Sequence, residues 1–238
     1  MNNPPITNAK LTGLEPRWAS FRGVSLLFEN PGSPAGRALY RHLNNGLQSL
    51  AQDPLVEQHL FRFLPARAHH VTVWDGVNDG NLSRVAPEFR SDWQRFLEDI
   101  PDTSSSDPLL REILQSELLR RPDWNLRLRC EQIENWSDVS LVARLVPVDK
   151  ASEESLQQLI QARDALSDAY EARFGVRPHP CYTPHITVGY FANHELASTS
   201  GDAVQRWNDR LLEKTEGLIL SLHRVGLSFF EHMASFGE

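Results

Sequence analysis

Two short stretches carry the residue types best suited to chemistry: "HVTV", beginning at His70, and "HITV", beginning at His185. Successive side chains of a strand point to opposite faces, so His70 shares a face with Thr72, and His185 with Thr187. Val71, Val73, Ile186 and Val188 fall on the other faces, where β-branched residues anchor a strand to a core. Each strand thus offers one imidazole and one hydroxyl. Brought together around one point, two such pairs suit a phosphodiester. One neutral histidine takes the proton of an attacking water or hydroxyl, and the other, protonated, donates to the departing oxygen, since imidazole titrates near neutrality. The threonine hydroxyls of Thr72 and Thr187 donate to the non-bridging phosphate oxygens. This chemistry calls for no metal and no cofactor.

The elements around the two stretches repeat. Strand patterns lie at about 21–28 ("FRGVSLLF"), "LFRFL", "HHVTVWD", "LRLRCEQIE", "VSLVARLV", "PHITVGYF" and "LILSLHRVGLSFF". Helical spacing lies at about 35–51 (Ala35, Leu39, Leu43, Leu47, Leu50), 88–99, 108–120, 202–214, and in a long helix after Ser152, read as its N-cap. Gly175 can stop that helix, and "PDTSSSDP" reads as a surface loop. "VSLL" and "VSLV" are offset by 115 residues, and so are "HVTV" and "HITV". Both halves then read strand, helix, short strand, His-x-Thr strand. The expectation is an α+β fold of two pseudo-symmetric lobes, at about 21–100 and 138–230 of a single domain spanning 10–238, with strands open to exchange.

Several neighbours are candidates for the same site. Trp74 follows the parity of His70 and Thr72, as a cleft wall for a base or as packing at the strand's end. Tyr182, three residues before His185, is a second wall or hydrogen-bond donor. Arg67 and Arg177 lie on the approach to each motif and offer forked donors to phosphate. Parity sends His69 away from Thr72, to packing or the surface. Asp75 and Asp79 read as turn residues around Gly76 and Gly80. His179, Cys181 and His185 lack a recognised zinc spacing, so no metal site is expected.

The bulk composition narrows the classes. Apolar residues make up 40% of the 238 residues, enough for a real core. The longest apolar runs fall far short of the roughly 20 residues of a membrane span, and "MNNPPITNAK" has no secretion-signal core, so a cytoplasmic, monomeric protein without membrane partners is expected. A net charge of −7 argues against tight binding to long duplex nucleic acid but leaves room for a small nucleotide or an RNA end. Cys130 and Cys181, the only cysteines, read as two buried thiols.

Two H-x-T-x motifs, one per half with apolar x residues, resemble the signature of the two-histidine (2H) phosphoesterase superfamily, which includes the 2'-5' RNA ligase-like proteins and cyclic phosphodiesterases. "YTPHITVGY" is similar to the usual second motif, and "FLPARAHHVTVWDGV" to an uncharacterised branch. The resemblance runs from about Phe21 to Phe230. It implies a bilobal α+β fold with antiparallel sheets lining a central cleft and helices outside. The implied activity is a hydrolase opening 2',3'-cyclic phosphates of nucleotides or RNA ends, or cleaving 2'-5' linkages. A nucleotide-binding module with the same cleft and little turnover, or ligation, stands as the alternative.

Overall fold

The computed structural model describes residues 4–12, 17–29, 39–43, 45, 54–100, 106–178 and 180–236. The strands are β1 (Leu11–Thr12), β2 (Arg17–Trp18), β3 (Gly23–Phe28), β4 (Phe61–Phe63), β5 (Thr72–Asn78), β6 (Leu126–Trp136), β7 (Ser140–Pro147), β8 (His185–Phe191), β9 (Leu220–Leu222) and β10 (Val225–Phe230). The helices are α1 (39–43), α2 (Pro54–Gln58), α3 (Pro87–Glu98), α4 (Arg111–Gln115), α5 (Glu117–Arg120), α6 (Lys150–Phe174), α7 (His194–Ser198) and α8 (Gly201–Thr215). This is a mixed α+β fold with two larger antiparallel sheets, ordered β10-β3-β5 and β4-β8-β7-β6-β9. Apolar faces of α6 (Leu159, Leu166, Tyr170, Phe174) and α8 (Val204, Trp207, Leu211) are buried against the core, as amphipathic helices on a sheet must be.

The 115-residue repeat persists at the level of strand register. Leu27 opposes Thr72 as Val142 opposes Thr187; Leu26 opposes Trp74 as Leu141 opposes Gly189; Ser25 opposes Asp75 as Ser140 opposes Tyr190. In both ladders the register slips by one residue immediately after the threonine, leaving Val73 and Val188 as the extra residues of matching β-bulges. The two sheets meet at the motifs themselves. An isolated antiparallel bridge pairs Val71 with Ile186, and the Phe28 amide donates to the Val71 carbonyl at 3.0 Å.

Several sequence expectations are corrected. "LILSLHRVGLSFF" is two strands: β9 finishes the larger sheet and β10 joins β3 in the smaller. The chain changes sheets at His223 and Arg224, whose carbonyls accept from the Trp124 and Glu29 amides at 2.8 Å each. No strand precedes β8 among the described residues 175–184. β4, from the first half, pairs with β8, the strand of the second motif. Gly189 permits that pairing, because a Cβ there would lie 2.3 Å from the Arg62 carbonyl oxygen. Asp149, not Ser152, caps α6, its carboxylate accepting from the Ser152 amide at 2.9 Å. Gly175 does end the helix, at φ 72°. The segment 108–120 is a 3₁₀ turn followed by two short helices rather than one. Ala35, Leu47, Leu50 and most of "PDTSSSDP" lie outside the described residues. No described helix is long and apolar enough to cross a membrane.

Candidate active site

Around the Val71–Ile186 bridge, antiparallel pairing sets His70 opposite Thr187 and Thr72 opposite His185, so cross-strand neighbours alternate imidazole and hydroxyl on one face. His70, Thr72, His185 and Thr187 all line one cavity of about 200 Å³. Each imidazole is held by its own chain two residues back. His70 Nδ1 lies 2.8 Å from the Ala68 carbonyl and His185 Nδ1 lies 2.9 Å from the Thr183 carbonyl. A carbonyl only accepts, so both Nδ1 atoms carry the proton and both Nε2 atoms present a lone pair. The Thr72 hydroxyl donates to His70 Nε2 at 3.1 Å. Aromatic rings cover both imidazoles with centroids 4.3 Å away, Phe236 on His70 and Trp136 on His185.

Burial sets the titration of these groups. It pushes His70 down to about 4, with Lys10 and His185 adding to the fall and the Ala68 carbonyl and Asp75 carboxylate opposing it. His185 is also held below its ordinary 6.5 by burial, against the Thr183 carbonyl and the carboxylates of Asp75 and Glu134. Both are therefore neutral near pH 7 in the empty site.

The bulges change two readings. Beyond Val73 the parity of β5 reverses, so the Trp74 side chain turns into the core, the packing alternative, and the residue borders a neighbouring cavity rather than the central one. It is 1% exposed, its indole donates to Ser167 Oγ at 3.1 Å, and it packs edge-on to Tyr170. Asp75 takes the position expected of Trp74. It is a strand residue facing the cavity, and its Oδ1 accepts from Ser25 Oγ at 2.8 Å. Asp79 is a turn residue, paired with Arg22. In β8 the same slip brings Tyr190 into the cavity.

The remaining candidates scatter. The Tyr182 hydroxyl donates to the Thr72 carbonyl at 3.0 Å, tying the approach of one motif to the strand of the other, and its ring borders a second cavity of about 520 Å³. That cavity shares Thr72, Asp75 and His185 with the central one and is also lined by Trp136, Arg163 and Cys181. Arg67 lines a third cavity of about 160 Å³, bordered by His69 and His70 together with Glu29 and Ser228. Arg177 does not reach the site; it pairs with Asp168 and with Glu171 on the surface of α6. His69 is buried, 2% exposed, with neither ring nitrogen hydrogen-bonded, and burial pushes it down to about 4. Cys130 is buried, but Cys181 is exposed. Among the described residues, which exclude His179, no group of three His, Cys, Asp or Glu side chains is placed to hold a metal ion.

Sequence reasoning missed the contributions from residues near 10 and 233. The Asn8 side chain donates to the Phe191 and Val139 carbonyls at 2.8 and 3.2 Å, and this anchor sets Lys10 over the Tyr190 ring, where its Nζ lies 3.4 Å from the phenolic oxygen. Phe230, Met233 and Phe236 form an apolar wall. No local motif marks either segment. Only the fold brings them to the cavity.

No family model matches the chain, and no curated protein matches it. Solved structures do. A conserved protein of unknown function from Agrobacterium tumefaciens, ATU0111, superposes with a TM-score of 0.62 at 17% identity, covering 100% of this chain and 93% of that one. At that identity the likeness concerns the fold. Kluyveromyces marxianus Usb1 matches with a TM-score of 0.44 at 14% identity, covering 89% of this chain and 96% of that one. Usb1 with uridine monophosphate matches with a TM-score of 0.40 at 13% identity, covering 88% and 95%.

Proposed function

We propose that the protein is a phosphodiesterase of the 2H phosphoesterase type, acting on 2',3'-cyclic phosphates of nucleotides or RNA ends, or on 2'-5' linkages. The observation that carries this reading is the gathering of His70, Thr72, His185 and Thr187 around one cavity of about 200 Å³, through the bridge between their two strands.

His70 is the base in this reading. Its Nδ1 proton is held by the Ala68 carbonyl, so the Nε2 lone pair accepts a proton from the attacking water. Binding of the phosphate draws the Thr72 hydroxyl from His70 Nε2 to a non-bridging oxygen and frees that lone pair; Thr187 donates to a second oxygen. His185, whose protonation the bound phosphate anion favours, gives its Nε2 proton to the departing ribose oxygen. A P–O bond to water forms as the P–O bond to ribose breaks, and a phosphate monoester results. Asp75 stabilises imidazolium at either position; Lys10, 4.6 Å from the Tyr190 ring centroid, adds positive charge for the phosphate.

The test is chelator-treated protein with 2',3'-cyclic nucleotides, short cyclic-ended RNA and 2'-5' dinucleotides. Turnover that is lost in both His70→Ala and His185→Ala supports the reading. Binding across the panel without turnover in the wild type would replace it with a nucleotide-binding module.

A further inference from the structure

The cavity of about 520 Å³ beside His185 has a composition that the chemistry at the histidines does not require. Its polar wall includes Arg163, a cation only 5% exposed, on the inward face of α6. The residue is positioned from two directions, one through its side chain and one through its main chain. The Tyr182 ring lies 5.4 Å from the guanidinium carbon, and Tyr182 is itself tied to β5 through the Thr72 carbonyl. On the helix side, the Trp74 indole donates to Ser167 Oγ, which donates to the Arg163 carbonyl at 2.8 Å, docking this turn of α6 on the same strand. Arg163 is therefore set in place relative to Thr72 before any ligand arrives.

Two features decide what such a cavity takes. Its volume and the rings of Trp136 and Tyr182 suit a planar aromatic group better than an isolated ion. The charge of Arg163 is already balanced nearby by Asp164, at 3.5 Å, and by the Asp75 carboxylate, so a neutral acceptor fits better than a second anion. A guanidinium only donates, and its fork matches two acceptors side by side. Guanine presents such a pair at O6 and N7, and cytosine at N3 and O2; adenine and uracil present none.

We propose that this cavity is a nucleobase site in which Arg163 selects bases carrying two adjacent acceptors, guanine and cytosine over adenine and uracil. The inference rests on the nucleotide reading of the site but not on turnover. With the phosphate at the two His-Thr pairs, the attached nucleoside extends past Thr72 and His185, which both cavities share, and its base edge meets Arg163.

Equilibrium binding of the four nucleoside 3'-monophosphates to the full chain tests it. Guanosine and cytidine 3'-monophosphates are expected to bind about 10-fold or more tightly than the adenosine and uridine compounds, in keeping with one bidentate contact. Arg163→Met, checked for folding by thermal melting, is expected to compress the four affinities to within about 3-fold. A ligand-side change needs no variant: 7-deazaguanosine 3'-monophosphate, which lacks N7, is expected to lose most of the guanosine advantage in the wild type. Equal affinities in the wild type, or a preference that survives both Arg163→Met and the loss of N7, overturns the proposal. So does tighter binding of adenosine 3',5'-bisphosphate than of guanosine 3'-monophosphate, which would make the cavity an anion site. The predicted selectivity without turnover of any phosphodiester would instead sink the catalytic reading and leave this one standing.

Discussion

His70 lies two residues before β5 and His185 opens β8; the two strands share a register and a bulge, and the two histidines share a backbone tether, yet their surroundings differ. Around His70 lie Phe236, the buried His69 and a cavity of about 160 Å³; around His185 lie Trp136, Tyr182 and one of about 520 Å³. Position 75 is an aspartate facing the cavity, whereas its counterpart is Tyr190, whose hydroxyl accepts from Lys10 and donates to the Met233 sulfur at 3.3 Å. In the proposed reading the shared features grip a phosphate symmetrically and the differences give it a direction: a base on the more confined side, an acid on the side with room for a nucleoside.

The largest expected effect of breaking this arrangement is on the histidines. His70→Ala and His185→Ala should each lower kcat/KM on a cyclic phosphate by about 10²–10⁴-fold, measured by product formation. Retained activity in one of them would reduce the pair to a single working half. The threonines come next. Thr72→Val and Thr187→Val should each cost about 10²-fold in kcat, as loss of one transition-state donor does, with little change in melting temperature. A loss confined to KM would show that they only bind substrate.

Stability probes the scaffold of the second strand. Gly189→Ala places a methyl against the Arg62 carbonyl and should cost about 1–3 kcal/mol in denaturant unfolding by prising β4 from β8. Gly201→Ala, where nothing lies within 4 Å of the added carbon, is the control. Equal stability of the two variants would contradict the close approach.

His69 probes the first strand. Its imidazole is neutral in the fold and takes a proton below about 6.5 in the unfolded chain, so its contribution is complete above pH 6.5 and is lost as pH falls through about 4. The depression corresponds to about 3 kcal/mol. His69→Phe should flatten that part of the acid unfolding curve, and an unchanged curve would place the acid sensitivity elsewhere. The smallest expected change is electrostatic: Asp75→Asn removes the carboxylate that favours imidazolium, so the alkaline limb of kcat/KM should move to lower pH by a fraction of a unit to about one unit.

The sequence disclosed what is written in short local patterns. Alternation on the two motif strands and their common offset were legible, because side-chain parity and the repeat need no knowledge of the rest of the chain. The failures trace to non-local events. A one-residue bulge after each threonine is invisible in residue types, yet it exchanges Trp74 for Asp75 at the cavity. The split between β9 and β10 depends on which sheet each half joins, and "LSLHRVGLSFF" carries no turn residue strong enough to announce it. Lys10 and Phe236 reach the central cavity from segments with no periodic signal, and Arg163 reaches its cavity because the Trp74–Ser167 contact, 93 residues apart in the chain, docks α6 on β5. Arg177 lay beside a motif in sequence and was satisfied instead by two carboxylates six and nine residues back on α6.

The dependence of kcat/KM on pH tests the paired histidines most directly, since it reports the free enzyme's base and acid. In the proposed reading His70 acts as a neutral base, so activity should fall as pH drops towards about 4, and His185 acts as a protonated acid, so activity should fall again as pH rises through a value below 6.5. The predicted profile for hydrolysis of a 2',3'-cyclic nucleotide is a bell with its maximum on the acid side of 6.5. A profile flat from about pH 5 to 9 would contradict an acid and base shared between the two strands.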